Sequence, residues 1–319
     1  MNLRPLGPQP SALPSYAIPR ANFYIIANVF GFEKPYFQKK CKGIWNFYGK
    51  ISQKKRIISF DLDMTLLDHR TWEIPASAME AIRRLREDSV IVVASGRNMN
   101  EPYSVAYRDM VKPDAIIHLN GTRVEVEGGK IIFEHLMDKE RLRRLLAFGE
   151  EQKLALGISV DGGDYYTCPE DVVYYDKVRW GSSERNFKDP WLLMDMPVKT
   201  LTYVGGPEGA ERLERQFAEF KFPMFAGLMG ADVVEQEASK ANGLMRLCEY
   251  YGIAPEQTVA FGDSMNDIEI IREAAIGVAM GNAHPGLKAA ADYVTADIGD
   301  DGVWKACVAL GLFEEGDGK

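Results

Sequence analysis

The sequence is poor in the residues that staple small folds together. Its four cysteines, Cys41, Cys168, Cys248 and Cys307, form no CxxC pair, which argues against a zinc knuckle or a disulfide-dense scaffold and points to a reducing compartment such as the cytoplasm. Histidine is equally scarce. His69, His118, His135 and His284 show no paired metal-ligand spacing and read as structural or surface side chains. Long apolar runs are missing too: the early candidate, Phe23 to Phe32, is half of the ~20 residues that cross a bilayer, so a membrane-spanning pump is excluded and no membrane partner is expected. There is no surplus of positive charge. With 46 acidic against 38 basic residues and a net charge of −8, the chain has no general electrostatic reason to bind nucleic acid, whose backbone rewards basic surfaces. Small ligands fit better, and an anionic one must meet locally placed cations or a metal.

What is present is unevenly distributed. Residues 1–55 carry nine Lys or Arg against one acid, Glu33, and are interrupted by Pro5, Pro8, Pro10, Pro14 and Pro19; the prolines break any early helix. This stretch reads as a non-catalytic appendage. A secretory signal is disfavoured because Gly31-Phe32-Glu33-Lys34 offers no small-residue cleavage pattern. At 319 residues the chain exceeds the usual size of one domain, ~100–200 residues, so a domain with a sizeable insertion is expected.

From Arg56 the pattern becomes one of short apolar, largely β-branched runs, each stopping at a polar cluster, as parallel strands buried on both faces do. Ile57 to Phe60 stops at Asp61; Val90 to Val93 at Ala94-Ser95-Gly96-Arg97; Ala115 to Ile117 near Asn120-Gly121; and Thr258 to Phe261 at Gly262-Asp263. Helical spacing of Met79, Ile82 and Leu85 supplies a crossover over 77–87, and another helix follows over 267–275. The fold class predicted is α/β, a doubly wound, mostly parallel, Rossmann-like sheet. Ligands of such sheets gather at the carboxyl ends of the strands, so the four polar clusters can meet although some two hundred residues separate them. The rhythm breaks over 138–230, where helices at 139–152 and 208–220 mix with strand-like pieces at 158–160, 172–178 and 200–204, and Gly162-Gly163 and Gly205-Gly206 mark turns. That stretch is expected to be an inserted α+β domain, with 56–137 and 231–319 forming the body.

The polar clusters carry chemistry. Asp61-Leu62-Asp63 at a strand mouth places carboxylates against low-dielectric protein, costly unless a cation neutralises them, and a hard divalent ion is the economical partner. Alone, the pair is more commonly the mark of a turn or strand end. An EF-hand does not fit, because Leu66 stands where Gly is needed and Trp72 where Glu is needed. Gly262-Asp263-Ser264-Met265-Asn266-Asp267 by itself reads as an Asx turn with an N-cap, Ser95-Gly96 as a strand-to-helix turn and Lys240 as a solvated lysine. Together they offer a nucleophile, an acid/base, a further metal carboxylate, a hydroxyl with a free backbone N–H, and an ammonium.

In this order the clusters resemble the four motifs of the haloacid dehalogenase-like (HAD) hydrolases, in particular the Cof-type, class IIB phosphatases with the second class of cap, over about Arg56 to Leu312. Asp61-Leu62-Asp63-Met64-Thr65-Leu66-Leu67 is similar to the first motif, Ala94-Ser95-Gly96-Arg97 to the second, Ser239-Lys240-Ala241-Asn242-Gly243-Leu244 to the third and Gly262 to Asp267 to the fourth; Met64 departs from the usual Gly. The resemblance implies that Asp61 attacks phosphorus to form an aspartyl-phosphate and that Asp63 serves as general acid and base. It implies Mg2+ held by the Asp61 carboxylate, the Asp63 main-chain carbonyl and Asp263. The phosphoryl oxygens would be cradled by Ser95, the N–H groups of Leu62 and Gly96, Lys240 and Asn266, and Asp267 would orient Lys240 or a metal-bound water. Arg97 either contacts a distal substrate group or makes a salt bridge, and Asn120 either contacts substrate or forms a plain turn. The function so implied is a Mg2+-dependent phosphatase of small phosphorylated metabolites, sugar phosphates foremost, with the inserted domain as the cap that sets specificity. A phosphomutase of the same superfamily and a non-enzymatic phospho-ligand sensor are the alternatives. A two-carboxylate glycosidase gives Lys240 and Ser95 no purpose.

Overall fold

The computed structural model describes residues 56–225 and 227–313; the basic segment expected as an appendage, residues 1–55, lies outside the described residues. The chain opens with strands β1 (Arg56–Phe60), β2 (Ser89–Ala94), β3 (Ala115–His118), β4 (Arg123–Val126) and β5 (Lys130–Glu134), with helix α1 (Ala76–Leu85) between β1 and β2 and α2 (Pro102–Val111) between β2 and β3. It then builds a second sheet from β6 (Ala155–Val160), β7 (Gly163–Tyr166), β8 (Phe187–Lys188), β9 (Leu201–Val204), β10 (Phe220–Lys221) and β11 (Ala231–Glu235), with helices α3 (Lys139–Gln152), α4 (Pro169–Trp180) and α5 (Pro207–Gln216). It returns to the first sheet through α6 (Lys240–Tyr251), β12 (Thr258–Gly262), α7 (Ile268–Glu273), β13 (Ile276–Ala279), α8 (Pro285–Ala290), β14 (Tyr293–Val294) and α9 (Gly302–Ala309).

The first sheet has eight strands in the order β14-β13-β12-β1-β2-β3-β4-β5. Pairs from β14 to β3 are parallel, and β4 and β5 extend the sheet antiparallel. The residues of β2 are buried throughout and those of β1 from Ile57 onward, which explains their unbroken apolar runs. In α1 the buried residues are Ala78, Ala81, Ile82 and Leu85, one stripe at helical spacing that faces the core. The chain leaves β1 toward β2 on one side and returns through β12 on the other, so the strand order reverses at β1. Phe60 and Phe261 are register partners across that pair. Asp61 and Asp263, one and two residues further on, therefore emerge side by side at the switch point.

The second sheet, ordered β10-β11-β9-β6-β7-β8, packs against its own apolar cluster, in which Leu142, Leu145 and Leu146 of α3 meet Leu213 of α5, Phe217 and Val233. This is the mixed α+β architecture expected of the insertion, with two differences. The valine-rich 172–178 stretch, expected as a strand, is part of helix α4. The ends of that segment override its β-branched content: Pro169 occupies the first turn with Glu170 and Asp171, Lys177 and Arg179 occupy the last turn, and Gly181 closes the helix at φ 81°. The other difference is the boundary. Ala231–Glu235, expected to begin the returning body, is hydrogen-bonded between β9 and β10, and its Ala231 and Val233 join the second core.

Candidate active site

Asp61 leaves β1 with its N–H donating to the Phe261 carbonyl at 3.0 Å. Its carboxylate accepts from Lys240 Nζ at 2.6 Å, and the same ammonium donates to Asp267 Oδ1 at 2.7 Å. Lys240 is 1 % exposed, so this is no solvated lysine. Burial alone would lower its pKa, but Asp267 and Asp61 hold it above the usual lysine value. Lys240 is placed by the start of α6, where Ser239 caps the helix by accepting from the Asn242 N–H at 3.0 Å. It reaches Asp61 because the Asn120-Gly121 turn lets the chains approach: Gly121 has φ 95°, and a Cβ there would stand 2.0 Å from the Ser239 carbonyl oxygen.

Asp267 is a pivot. Its Oδ2 accepts from the N–H groups of Asp263 at 3.1 Å and Ser264 at 3.2 Å, closing the turn after β12 while its other oxygen holds Lys240. A side chain at Gly262 would collide with it, since a Cβ there lies 2.6 Å from Asp267 Cβ. Asp263 accepts from Thr65 Oγ1 at 3.2 Å.

Ligand atoms of Asp61, Asp263 and Asp267 all lie within 4.8 Å of one another. Burial, then repulsion from Asp61 and Asp267, pushes the Asp263 carboxyl far above the usual range; burial likewise raises Asp61, against the opposing charge of Lys240. Three buried carboxyl groups facing one ammonium leave negative charge uncompensated, and an all-oxygen set suits a hard divalent cation. The residues present fit such a metal.

Asp63 points elsewhere. Its carboxylate accepts from Arg97 Nε at 2.8 Å and Nη2 at 2.5 Å, and lies 2.6 Å from His69 Nε2. Burial would raise it, but the hydrogen bonds from His69 and Arg97, with their charge, hold it below the ordinary carboxylate value. Of the two roles open for Arg97, this geometry shows the salt bridge. Met64, which follows, has φ 58°, the left-handed conformation that favours glycine; the turn is tied by Asn282 Nδ2 donating to the Met64 carbonyl at 2.7 Å.

Ser95 is buried, and its Oγ accepts from the Arg97 N–H at 3.0 Å. The N–H groups of Leu62 and Gly96 donate to no acceptor among the described residues. Asn120, itself at φ 54°, donates to Asp232 at 2.7 Å and accepts from Asn266 Nδ2 at 3.1 Å. It is thus more than a plain turn residue, joining the fourth motif to the second sheet. Lys240, Asp263 and Asn266 open into a cavity of about 760 Å³, whose far wall includes Phe222, Met224 and Phe225 of the second sheet's domain.

Three participants were not foreseen. His69, read as structural or surface, contacts Asp63; Thr65 holds Asp263; and Asp232 reaches in from β11. The one sequence trace of Asp232 is an acid alternating with apolar Ala231 and Val233.

A profile of the haloacid dehalogenase-like hydrolases matches residues 58–307. The chain belongs to that family. Among relatives of this HAD protein, the putative phosphatase YkrA of Bacillus subtilis is 30% identical over 276 residues, covering 81% of this chain and 99% of YkrA. The HMP-PP phosphatase of Klebsiella pneumoniae is 27% identical over 253 residues, covering 77% and 90%. Among solved structures, that of the HAD subclass IIB sugar phosphatase BT4131 superposes with a TM-score of 0.71 at 28% identity, covering 81% of this chain and all 100% of that one. With these neighbours, the HAD protein is a phosphoric monoester hydrolase. Among the described residues no helix is long and apolar enough to cross a membrane.

Proposed function

We propose that this HAD protein is a Mg2+-dependent phosphatase of small phosphorylated metabolites, sugar phosphates first among them, acting through an aspartyl-phosphate on Asp61. The observation that carries the reading is the buried Asp61 carboxylate at the switch point, held by Lys240 with Asp263 beside it. Mg2+ would be held by Asp61, Asp263 and the Asp63 main-chain carbonyl, and when bound it supplies the positive charge that lets a carboxylate approach an anionic phosphoryl group.

The chain's own groups divide the work. Lys240, Ser95, Asn266 and the N–H groups of Leu62 and Gly96 fix the phosphoryl oxygens. One Asp61 oxygen attacks phosphorus; the bond to the leaving alcohol breaks, and its oxygen takes a proton from Asp63. Water then attacks phosphorus, gives its proton to Asp63, and phosphate departs as the bond to Asp61 breaks. For the first step Asp63 must turn from the Arg97 fork and carry a proton. Support for a sugar leaving group comes from the likeness to BT4131; the likeness to the HMP-PP phosphatase keeps other metabolites in the screen. Phosphate release from a panel of phosphorylated metabolites, with Mg2+ and with EDTA, tests the proposal. Phosphoryl transfer between substrates without free phosphate would instead indicate the mutase.

A further inference from the structure

The alternation of β11 turns one acid toward the phosphoryl site. Ala231 and Val233 face the second core, so Asp232 and Val234 face the other way, and Val234 lines the cavity. The Asp232 side chain hangs over the second motif: its Oδ2 is 3.0 Å from where a Cβ on Gly96 would stand. Its one side-chain hydrogen bond among the described residues comes from Asn120, which leaves carboxylate lone pairs to spare. Asp232 is partly buried. Burial raises its carboxyl to about 6, with Asn120 and Lys240 opposing and Asp63 adding repulsion, so it is mostly ionised at neutral pH and acts as an acceptor.

Nothing in phosphoryl transfer needs this group. A carboxylate beside the Ser95-Gly96 cradle repels the phosphate that the cradle binds, and the steps assigned to Asp61 and Asp63 leave it no role. Its presence is offset when the rest of the substrate offers a hydrogen-bond donor at that place, because an unpaired acceptor there favours ligands that pair it and disfavours those that do not.

We propose that Asp232 is a specificity-determining residue that accepts a hydrogen bond from a hydroxyl group on the leaving alcohol close to the ester oxygen, so that the enzyme favours monoesters of polyhydroxylated alcohols over esters without a donor. This rests on the phosphatase reading and supplies a residue to its substrate class. Its geometry also allows a sharp control. Asn at 232 keeps an oxygen to accept from Asn120 but presents NH2 where the carboxylate presented an acceptor.

The test compares kcat/KM for the best hydroxylated ester in a panel of sugar and polyol phosphates with kcat/KM for p-nitrophenyl phosphate, in the wild type, Asp232→Asn and Asp232→Ala. The ratio of the two should fall about 10- to 100-fold in both variants, the worth of one hydrogen bond to a charged group. An unchanged ratio in Asp232→Asn, whether both activities stay level or fall together, overturns the proposal and leaves Asp232 as a tie to Asn120. Wild-type protein that releases phosphate from no ester, p-nitrophenyl phosphate included, overturns the phosphatase reading and this proposal with it. The two failures are therefore told apart on the wild type alone.

Discussion

The guanidinium of Arg97 grips the carboxylate of Asp63 with two hydrogen bonds, Nε to Oδ2 at 2.8 Å and Nη2 to Oδ1 at 2.5 Å. A fork of this kind favours the ionised acid, yet an acid catalyst has to carry a proton when the alcohol leaves. Arg97 therefore opposes the first use proposed for Asp63. Asp63→Asn should cut turnover ~10^2- to 10^4-fold, the usual worth of general acid/base catalysis. Arg97→Ala removes a cause that lowers Asp63, so the Asp63 pKa rises and the protonated form persists to higher pH. The alkaline limb of the kcat/KM profile should move upward, while turnover falls less than in Asp63→Asn. An unmoved limb would show that Arg97 does not govern this acid.

The pairing of Lys240 with Asp61 and Asp267 predicts unequal effects for the two ends of the bridge. Asp61→Asn removes the proposed nucleophile and should abolish phosphate release, but it also relieves repulsion within the carboxylate cluster, so the variant should stay folded by circular dichroism. Lys240→Met leaves buried carboxylates without their cation, a loss of about 3–5 kcal/mol when a buried pair is broken from one side. Urea melts read that difference. Near-native turnover in folded Asp61→Asn would remove the covalent mechanism.

Much of this site could be read from the sequence because its chemistry sits where strands stop. Asp61, Ser95, Asn120 and Asp263 each follow an apolar run, and the carboxyl ends of parallel strands converge whatever their separation along the chain. The contacts that were not legible depend on tertiary placement. The resemblance of its motif places Lys240 in the site, with Asp267 to orient it, but the close approach of Ser239 over Gly121 that brings it to Asp61 leaves no trace in the sequence. His69 has no sequence partner because Asp63 meets it through a turn at Met64, and Asp232 is one acid in a short strand. The 172–178 stretch shows the reverse failure, in which valines suggested a strand while the proline, charges and glycine at the segment's ends specified a helix.

The raised pKa values of Asp61 and Asp263 predict a pH dependence for the proposed metal binding. Protons compete with the cation for these oxygens, so Mg2+ affinity should rise as pH increases through the neutral range. Added Mg2+ should raise Tm more at pH 8 than at pH 6, and Asp263→Asn should remove most of the increment. EDTA should stop turnover and Mg2+ should restore it, whereas Ca2+, larger and looser in coordination, should support it poorly. A thermal shift independent of both pH and Asp263 would place the cation elsewhere.

Away from the site, His118 predicts how stability responds to acid. It is fully buried, its Nδ1 accepts from the Met99 N–H at 3.0 Å, and its Nε2 is 3.5 Å from Glu125 Oε2. Burial, with Arg123 and Arg108 nearby, pushes the imidazole down to about 3, well below the ~6.5 of an unfolded chain. The folded-state value is depressed, so the unfolded chain binds the extra proton first. The stability tied to neutral His118 is complete above the unfolded pKa and is lost as pH falls from there toward about 3. Between pH 7 and pH 5.5 this one group should remove about 1 kcal/mol. Urea melts at the two pH values would measure it against His118→Asn, which can still accept from Met99 but does not titrate. Carboxylates common to both proteins cancel in that comparison. The wild-type advantage over the variant should shrink by about 1 kcal/mol at the lower pH; parallel pH slopes in the two proteins would show that His118 does not carry the effect.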